Sequence, residues 1–237
     1  MKQNLNQPNR RSFLQQSAAG TAAAVLTTSF VFAQTDSQSS TNKTEMPKIK
    51  GTKTEKNLLK AFAGESQARN RYYFFAQKAS EEGYEHIAAI FRETGDQEMV
   101  HANQFFKYLD AGGPLEITAA YPAGTILTTE KNLEAAAGGE HEEWEILYPE
   151  FAKVAKEEGF TDIFRTFNAV AISEKQHERR YLGFLEHLKA GDLFKRNGKV
   201  VWRCRNCGYV SEGTEAPGVC PACKVSQAWF EILAENW

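Results

Sequence analysis

The chain has 237 residues, with 28 basic and 30 acidic side chains and a formal net charge of −2. This length accommodates one large domain or two ordinary ones, and a near-neutral charge gives no indication of nucleic-acid binding. No apolar run within the body of the chain approaches the roughly 20 residues that span a bilayer. Composition therefore favours a soluble body of one or two domains.

The first 33 residues have the layout of an export signal. Arg10-Arg11 and the following Phe13-Leu14 precede a weakly apolar run, and Val31-Phe32-Ala33 is a plausible small-residue cleavage site. Paired arginines followed by Phe-Leu are typical of the twin-arginine signal, which is read by an export pathway. We expect residues 1–33 to be cleaved and the mature protein to be periplasmic or otherwise exported, free of the membrane. An uncleaved membrane anchor and a disordered basic tail are the alternatives.

Residues 34–51 are rich in small and polar side chains and predict a flexible linker, after which a helical domain is expected over residues 52–195. Thr52-x-x-Glu55 matches a capping box at its start. Hydrophobic periodicity predicts four long helices, at about 52–82, 84–110, 130–158 and 160–189. Pro149 should kink or locally widen the third. The irregular connection at 114–129 lets that helix run parallel to the second, as in ferritin-like four-helix bundles.

An internal repeat marks the second and fourth helices. Glu98-x-x-His101 and Glu174-x-x-His177 each follow a similar phrase at the same distance, ASEEGY at 79–84 and AKEEGF at 155–160. Residues three apart lie on one helical face, so each motif directs a carboxylate and an imidazole to one place. The repeat predicts that both helices contribute to a metal site.

Further acids interrupt the apolar faces of the first and third helices, at Glu65, Glu140 and Glu143. Burying several unpaired carboxylates is prohibitive, whereas two iron or manganese ions would neutralise them. The candidate ligands are Glu65, Glu98, His101, Glu140, Glu143, Glu174 and His177. The alternative is that they are solvated surface acids. The other histidines, His86, His141 and His187, are interpreted as ordinary surface residues.

A second, small metal-binding domain is predicted at residues 196–237, where the helical period ends. Cys204-x-x-Cys207 and Cys220-x-x-Cys223 have the spacing of two metal knuckles that supply four thiolates to one zinc or iron ion. Two disulfides are the alternative in an exported protein. A domain of fewer than about 45 residues needs such a staple because it buries little apolar surface.

From residue 51 to its end the chain closely resembles the rubrerythrin family. The resemblance lies in AFAGESQARNRY at 61–72, Asp96-Gln97-Glu98, the Glu140-x-x-Glu143 pair, Tyr148-Pro149 and WRCRNCGY at 202–209. It implies a mainly α fold, with a ferritin-like four-helix bundle followed by a small rubredoxin-like β/loop metal domain. It also implies a di-iron site with all seven candidate ligands, His101 being a ligand in one oxidation state and exchanging with Glu143. Tyr72 and Tyr148 would support the carboxylates.

The resemblance further implies a peroxidase. We expect a non-haem di-iron enzyme that reduces hydrogen peroxide to water, with electrons relayed through a single iron held by Cys204, Cys207, Cys220 and Cys223, in oxidative stress defence. An unidentified electron-donor protein and a homodimer are the expected partners. The alternatives are a ferroxidase or iron-handling protein, and a bundle with a structural zinc ribbon that serves as a binding module.

Overall fold

A computed structural model describes residues 48–109 and 113–236 of the chain. The helices are α1 (Lys53–Glu81), α2 (Glu85–Tyr108), α3 (Thr129–Glu142), α4 (Tyr148–Glu157) and α5 (Thr161–Ala190), with a π-helical turn at Glu143–Leu147 joining α3 to α4. The α1–α2 hairpin packs against α5 and the helix formed by α3, the π turn and α4. The mainly α fold with a four-helix bundle is therefore confirmed.

The start of α1 follows the predicted capping box only in part. Thr52 Oγ1 accepts the Glu55 N–H at 3.0 Å. The Glu55 carboxylate accepts the Gly51 N–H at 2.7 Å, whereas Thr52 N–H donates to the Ile49 carbonyl. In a complete capping box, the Glu55 side chain would accept the Thr52 N–H. Here the turn at 49–52 satisfies that donor instead.

The third bundle helix widens at the position where Pro149 predicted a kink or widening. The Tyr148 N–H donates to the Glu143 carbonyl, five residues earlier. Pro149 has no N–H, and its ring would crowd the Glu145 carbonyl in a regular α-helix. The π turn resolves both conflicts without breaking the helix, and such turns are frequent at functional sites.

Two apolar clusters fill the bundle, one on each side of a polar layer. The first cluster includes Tyr72, Phe75, Ile87, Phe91, Leu133 and Tyr181. The second includes Leu58, Phe105, Tyr148, Phe151, Ile163 and Phe167. Because the acids lie between these clusters, they are held in the dry interior of the bundle.

The C-terminal region forms a small antiparallel sheet. Its strands are β1 (Lys195–Cys204), β2 (Val210–Glu215) and β3 (Phe230–Ile232), in the order β2-β1-β3. Trp202 and Phe230 are buried at its centre with Cys204 and Cys220. The strand-containing C-terminal region expected after the bundle is therefore present, while its status and boundaries as a separate domain stay predictions.

The C-terminal sheet packs against the bundle through a buried acid. The Glu231 carboxylate accepts hydrogen bonds from Arg203 and Arg205 and lies 3.2 Å from His86 Nε2, near the start of α2. The His86 ring also packs edge-on against Phe184 of α5. The interpretation of His86 as an ordinary surface residue was wrong, because the C-terminal domain covers it.

His141 and His187 lie near the surface, as predicted, and pair with Glu178 and Asp192 respectively. The predicted signal peptide, residues 1–33, and most of the predicted linker, residues 34–51, lie outside the described residues. In the part of the chain that is described, no helix is both long and apolar enough to cross a membrane.

Candidate metal centres

The polar layer of the bundle contains most of the candidate ligands. The residues brought together there are Glu65, Glu98, His101, Glu140, Glu174 and His177. The four glutamates expose at most 1% of their surface. Each helix contributes where its apolar stripe is interrupted, so the helical period that buries the aliphatic residues also buries the acids.

The ligand atoms fall into two overlapping groups. Glu65 and His101 belong to one and Glu140 and His177 to the other, while Glu98 and Glu174 belong to both. Within each group the nitrogen and oxygen atoms lie within 4.8 Å of one another. A shared pair of carboxylates, flanked on each side by one acid and one histidine, fits two metal ions bridged by the shared pair.

Several atoms of the layer are buried in the described structure without a well-directed hydrogen bond. They are Glu65 Oε2, Glu98 Oε1, Glu140 Oε2, both oxygens of Glu174 and His177 Nδ1. His177 Nδ1 nevertheless lies 2.7 Å from Glu174 Oε2 and 3.2 Å from Glu98 Oε1. These atoms converge on common points, and since buried polar groups rarely stay unsatisfied, oxygen-preferring cations fit the layer.

Three of the candidate acids, Glu65, Glu140 and Glu143, disfavour their own ionisation in the absence of metal. Burial, followed by the neighbouring carboxylate charges, raises the pKa of Glu65 and of Glu143 well above the usual range. Burial and the charge of Glu98 raise the pKa of Glu140 to about 8. Protons must therefore occupy the layer when cations do not.

The two histidines of the layer, in contrast to these acids, favour their charged form. Burial alone would lower the pKa of His101, but contacts with Glu174 and Glu98 raise it to about 9. The pKa of His177 rises to about 12 because Glu140, Glu174 and Glu98 outweigh burial. The carboxylates thus attract positive charge to both imidazoles, as they would to a metal ion.

Two tyrosines support the carboxylates, as the resemblance implies. Tyr72 donates its hydroxyl proton to Glu140 Oε1 at 2.5 Å, and Tyr148 donates to Glu65 Oε1. Both phenols are buried, and burial is the largest cause of their raised pKa values. Each tyrosine satisfies one oxygen of its glutamate and leaves the other directed into the layer.

One supporting residue, Gln97, was noted in the sequence only as part of the motif Asp96-Gln97-Glu98, without a role. Gln97 Oε1 lies 2.9 Å from His177 Nε2, so the imidazole donates that N–H to the amide and directs Nδ1 to the carboxylates. Arg180 links the same amide to Thr94, whose hydroxyl accepts a 2.6 Å hydrogen bond from the guanidinium. A glutamine beside a ligand carries no periodic signal that would have revealed this role.

Glu143 is placed differently from the other candidate ligands. It begins the π turn, is half-buried, and lies outside both convergent groups. It lines a cleft beside the layer together with Tyr148. Its position makes it an acid next to the two groups rather than a member of either.

The four cysteines converge at one point in the C-terminal domain. The Sγ separations are 3.8 Å for Cys204–Cys223 and 3.7 Å for Cys207–Cys220. A tetrahedron with metal–sulfur bonds of about 2.3 Å has edges of about 3.8 Å. A disulfide needs about 2.05 Å. All four thiols are free, so the metal interpretation fits and the disulfide alternative does not.

The two knuckles share one backbone pattern. Cys204 N–H donates to the Tyr209 carbonyl and Gly208 N–H donates back to the Cys204 carbonyl, and Cys220, Val225 and Lys224 repeat both bonds. Gly208 and Lys224 have positive φ values of 78° and 67°. Hydrogen bonds from Asn206 and the Val225 N–H lower the pKa of Cys223 to about 6. The fold therefore stabilises the thiolate of Cys223 before metal binds.

Comparison with known proteins agrees with both centres. The family model described as Rubrerythrin matches residues 56–185, and the model of the rubrerythrin rubredoxin-like domain matches residues 202–231. Rubrerythrin of Porphyromonas gingivalis is 57% identical over 82% of this chain and 98% of its own length. Rubrerythrin of Nitratidesulfovibrio vulgaris is 53% identical over 81% of this chain and all of its own. The fully reduced, all-ferrous structure of nigerythrin is 28% identical, with a TM-score of 0.52 over 86% of this chain and all of its own.

Proposed function

Because this chain belongs to the rubrerythrin family, with a di-iron carboxylate site and a rubredoxin-like four-cysteine site, we propose that it reduces hydrogen peroxide to water. The observation that carries the proposal is the presence of both sites in one chain. The first has room for two bridged irons, and the second is suited to one-electron transfer. An iron store would not need an attached electron relay, which favours a peroxidase over a ferroxidase.

The reaction consumes one peroxide, two electrons and two protons and releases two waters, with cleavage of the O–O bond. When bound, the two irons supply Lewis acidity and the electrons for that cleavage. The protein supplies charge compensation, orientation and protons. The four-cysteine centre would return electrons one at a time from a donor protein.

We assign the ligands from the two convergent groups. Glu98 and Glu174 would be ligands shared by the two metals, since they belong to both groups. The terminal ligands on one side are Glu65 and His101, and those on the other are Glu140 and His177. The family resemblance implies that Glu143 and His101 exchange as ligands with oxidation state, and Glu143 lies beside the layer, outside both groups.

Glu143 can also deliver protons to the departing oxygens. Burial and the nearby carboxylates raise its pKa, which favours the protonated form of this carboxyl group. Its position along the cleft connects it to the surface of the bundle. The buried bridging acids have no such outlet, so Glu143 is the best-placed proton donor among the candidate ligands.

Electrons would pass between subunits of a homodimer. The C-terminal domain contacts the bundle near His86, and Glu98 lies twelve residues further along α2, about 18 Å along the helix axis. A partner's cysteine centre could approach the layer more closely. Large apolar side chains left exposed on the bundle, including Val100 at 61% and Ile172 at 73%, support an association of two copies.

The decisive test uses the iron-loaded protein after chemical reduction. Stoichiometric peroxide should reoxidise the bundle irons rapidly, and slow or absent reoxidation would contradict the proposal. Cys204→Ser should abolish donor-driven turnover but spare the single reoxidation. Equal loss of both would mean that the C-terminal domain acts only through folding.

Metal analysis separates this proposal from the structural zinc ribbon. Two irons in the bundle and one at the cysteines support electron transfer, whereas zinc at the cysteines would assign that domain a structural role. The visible spectrum of the natively produced protein distinguishes these outcomes directly, because zinc thiolates are colourless.

We also propose that residues 1–33 act as a twin-arginine-type signal and that the mature protein is periplasmic or otherwise exported. The support is the order of the paired arginines, the weakly apolar run and the small-residue site at Ala33. Replacing Arg10 and Arg11 together by lysine should retain the protein in the cytoplasm with an uncleaved N-terminus. Cytoplasmic wild-type protein with residues 1–33 intact would overturn the proposal.

A further inference from the structure

The buried carboxylate layer needs a route by which a small molecule reaches it. A cleft of about 370 Å³ lies between α1, the π turn and the connection that precedes α3, and its lining includes Glu143 and Tyr148. Tyr148 hydrogen-bonds to Glu65 within the layer. The cleft therefore extends from the protein surface to groups that touch the candidate metal site.

The connection before α3 covers this cleft. The Tyr121 hydroxyl donates to the Lys60 carbonyl at 3.0 Å, and Gln67 Nε2 donates to the Pro122 carbonyl at 3.0 Å. Lys60 and Gln67 lie seven residues, or about two turns, apart on α1. These two bonds hold the Tyr121 ring over the part of α1 that contains Gly64.

Gly64 has no side chain at the point where the cover and the carboxylate approach α1. A Cβ atom added there would lie 3.7 Å from Tyr121 Cε1 and 3.9 Å from Glu143 Oε1. These are ordinary contact distances, so alanine would fit. Glycine in a helix interior is less favourable than alanine. Since neither backbone conformation nor a clash demands glycine here, its use is best explained by the space it leaves.

The lining of the cleft suits a small polar molecule. Gln67 Oε1 and Arg71 Nε are buried without a hydrogen-bond partner among the described residues, and both side chains line the cleft. One is an acceptor and the other a donor. A hydroperoxide has an O–H donor and oxygen acceptors, so it can bond to both groups as it passes.

We propose that the cleft is the route of hydrogen peroxide to the carboxylate layer, and that Gly64 limits the size of hydroperoxide admitted between Tyr121 and Glu143. This inference rests on the proposed peroxidase function. It assigns a size-selecting role to Gly64, and a covering role to Tyr121 and its connection. Neither residue is a ligand, so both can be changed without removing a donor atom from the site.

The test compares Gly64→Ala and Gly64→Leu with Gly138→Leu in the iron-loaded protein. Gly138 lies in α3 with open space around its Cβ position, and leucine and alanine both favour helix. Iron content and thermal unfolding establish that each variant is loaded and folded. Azide binding to the oxidised protein, followed by its absorption change, measures access independently of any reaction with peroxide.

Gly64→Leu should slow azide binding and peroxide-driven reoxidation about tenfold or more, and Gly138→Leu should change neither. Gly64→Ala should preserve the rate with hydrogen peroxide and reduce the rate with tert-butyl hydroperoxide. Unchanged azide and peroxide rates in loaded Gly64→Leu would overturn the route. If the wild type bound azide but did not react with peroxide, the peroxidase proposal would fail while the azide comparison still decided the route.

A second variant keeps the inference testable if Gly64→Leu does not fold. Tyr121→Ala removes the covering ring and its bond to Lys60. It should raise the rate with tert-butyl hydroperoxide relative to that with hydrogen peroxide. An unchanged ratio in a loaded, folded Tyr121→Ala protein would contradict the role of the cover.

Discussion

Gln97 Oε1 and His177 Nε2 lie 2.9 Å apart, at a contact between α2 and α5 that orients one imidazole of the carboxylate layer. An amide oxygen only accepts, so Nε2 carries a proton and Nδ1 points at Glu98 and Glu174. Metal-binding histidines commonly use such an outer partner to fix ring orientation and tautomer. Gln97 is therefore a positioning residue for His177, which belongs to the group with Glu98, Glu140 and Glu174.

Gln97→Leu should weaken iron binding in the bundle by about 10- to 100-fold, because His177 loses the partner that fixes its ring. Competition with a chelator measures the affinity. Gln104→Leu, two turns further along α2, is the matched control and should bind iron as the wild type does. If the two variants behave alike, the hydrogen bond does not position the ligand.

Tyr148→Phe removes the hydroxyl that donates to Glu65. The buried oxygen then lacks its partner, which should cost about 1–3 kcal/mol of folding stability in the loaded protein. Chemical denaturation with circular dichroism measures the change. Tyr108→Phe removes a hydroxyl that bonds only to Thr166 at 2.8 Å, so its cost should be smaller. A larger cost for Tyr108→Phe would argue against a special role for the charged acceptor.

Iron(II) binding to the bundle should release protons near neutral pH. Without metal, the raised pKa values of about 8 for Glu140 and about 9 for His101 keep both groups protonated at pH 7. Metal must displace these protons, so iron affinity should fall as the pH drops below about 9. A pH indicator can count the released protons, with zinc filling the cysteine site beforehand. Glu140→Gln should release fewer protons, and pH-independent binding by the wild type would refute the assignment.

His86 should titrate far below an ordinary histidine. Burial is the main cause that lowers its pKa to about 4, and Arg205 and Arg203 act in the same direction against Glu231. Protonation favours the unfolded state as the pH falls from 6.5 through 4, so this group costs stability in acid. Nuclear magnetic resonance titration of the imidazole measures the value directly.

Glu231→Gln should loosen the contact between the C-terminal domain and the bundle, because it leaves Arg203 and Arg205 without their buried acid. Exposure of His86 would then move its pKa upward toward 6.5. Glu212→Gln changes an exposed acid of the same domain and should leave the titration unaltered. A pKa still near 4 in Glu231→Gln would show that the contact does not depend on this carboxylate.

The sequence predicted site residues best where acids and histidines recur at helical spacing on an apolar face. Glu98 and Glu174 could be located because each interrupts an apolar stripe three residues before a histidine. Pro149 could be interpreted because a missing N–H has a local consequence. In these cases the causes lie within a few residues of their effects.

Contacts between residues far apart in the chain could not be predicted from local sequence patterns. Gln97 and His177 are separated by 80 positions, and only the packing of α2 on α5 makes them partners. His86 was misread because nothing near it in the sequence indicates that Glu231 will cover it. The capping-box prediction was only partly correct for a local reason, since the turn at 49–52 takes the Thr52 N–H that Glu55 would have accepted.

The π turn has the effect of one residue inserted into an otherwise regular helix. Each residue of an α-helix turns the chain by about 100°. If the same residues formed a regular α-helix through Glu143–Leu147, everything after the turn would rotate by about that angle relative to Glu140. Tyr148 would then face away from Glu65, and the second apolar cluster would lose Phe151 with it. The layer and the core beneath it are thus kept in phase because the π turn accommodates this extra residue within one wide turn.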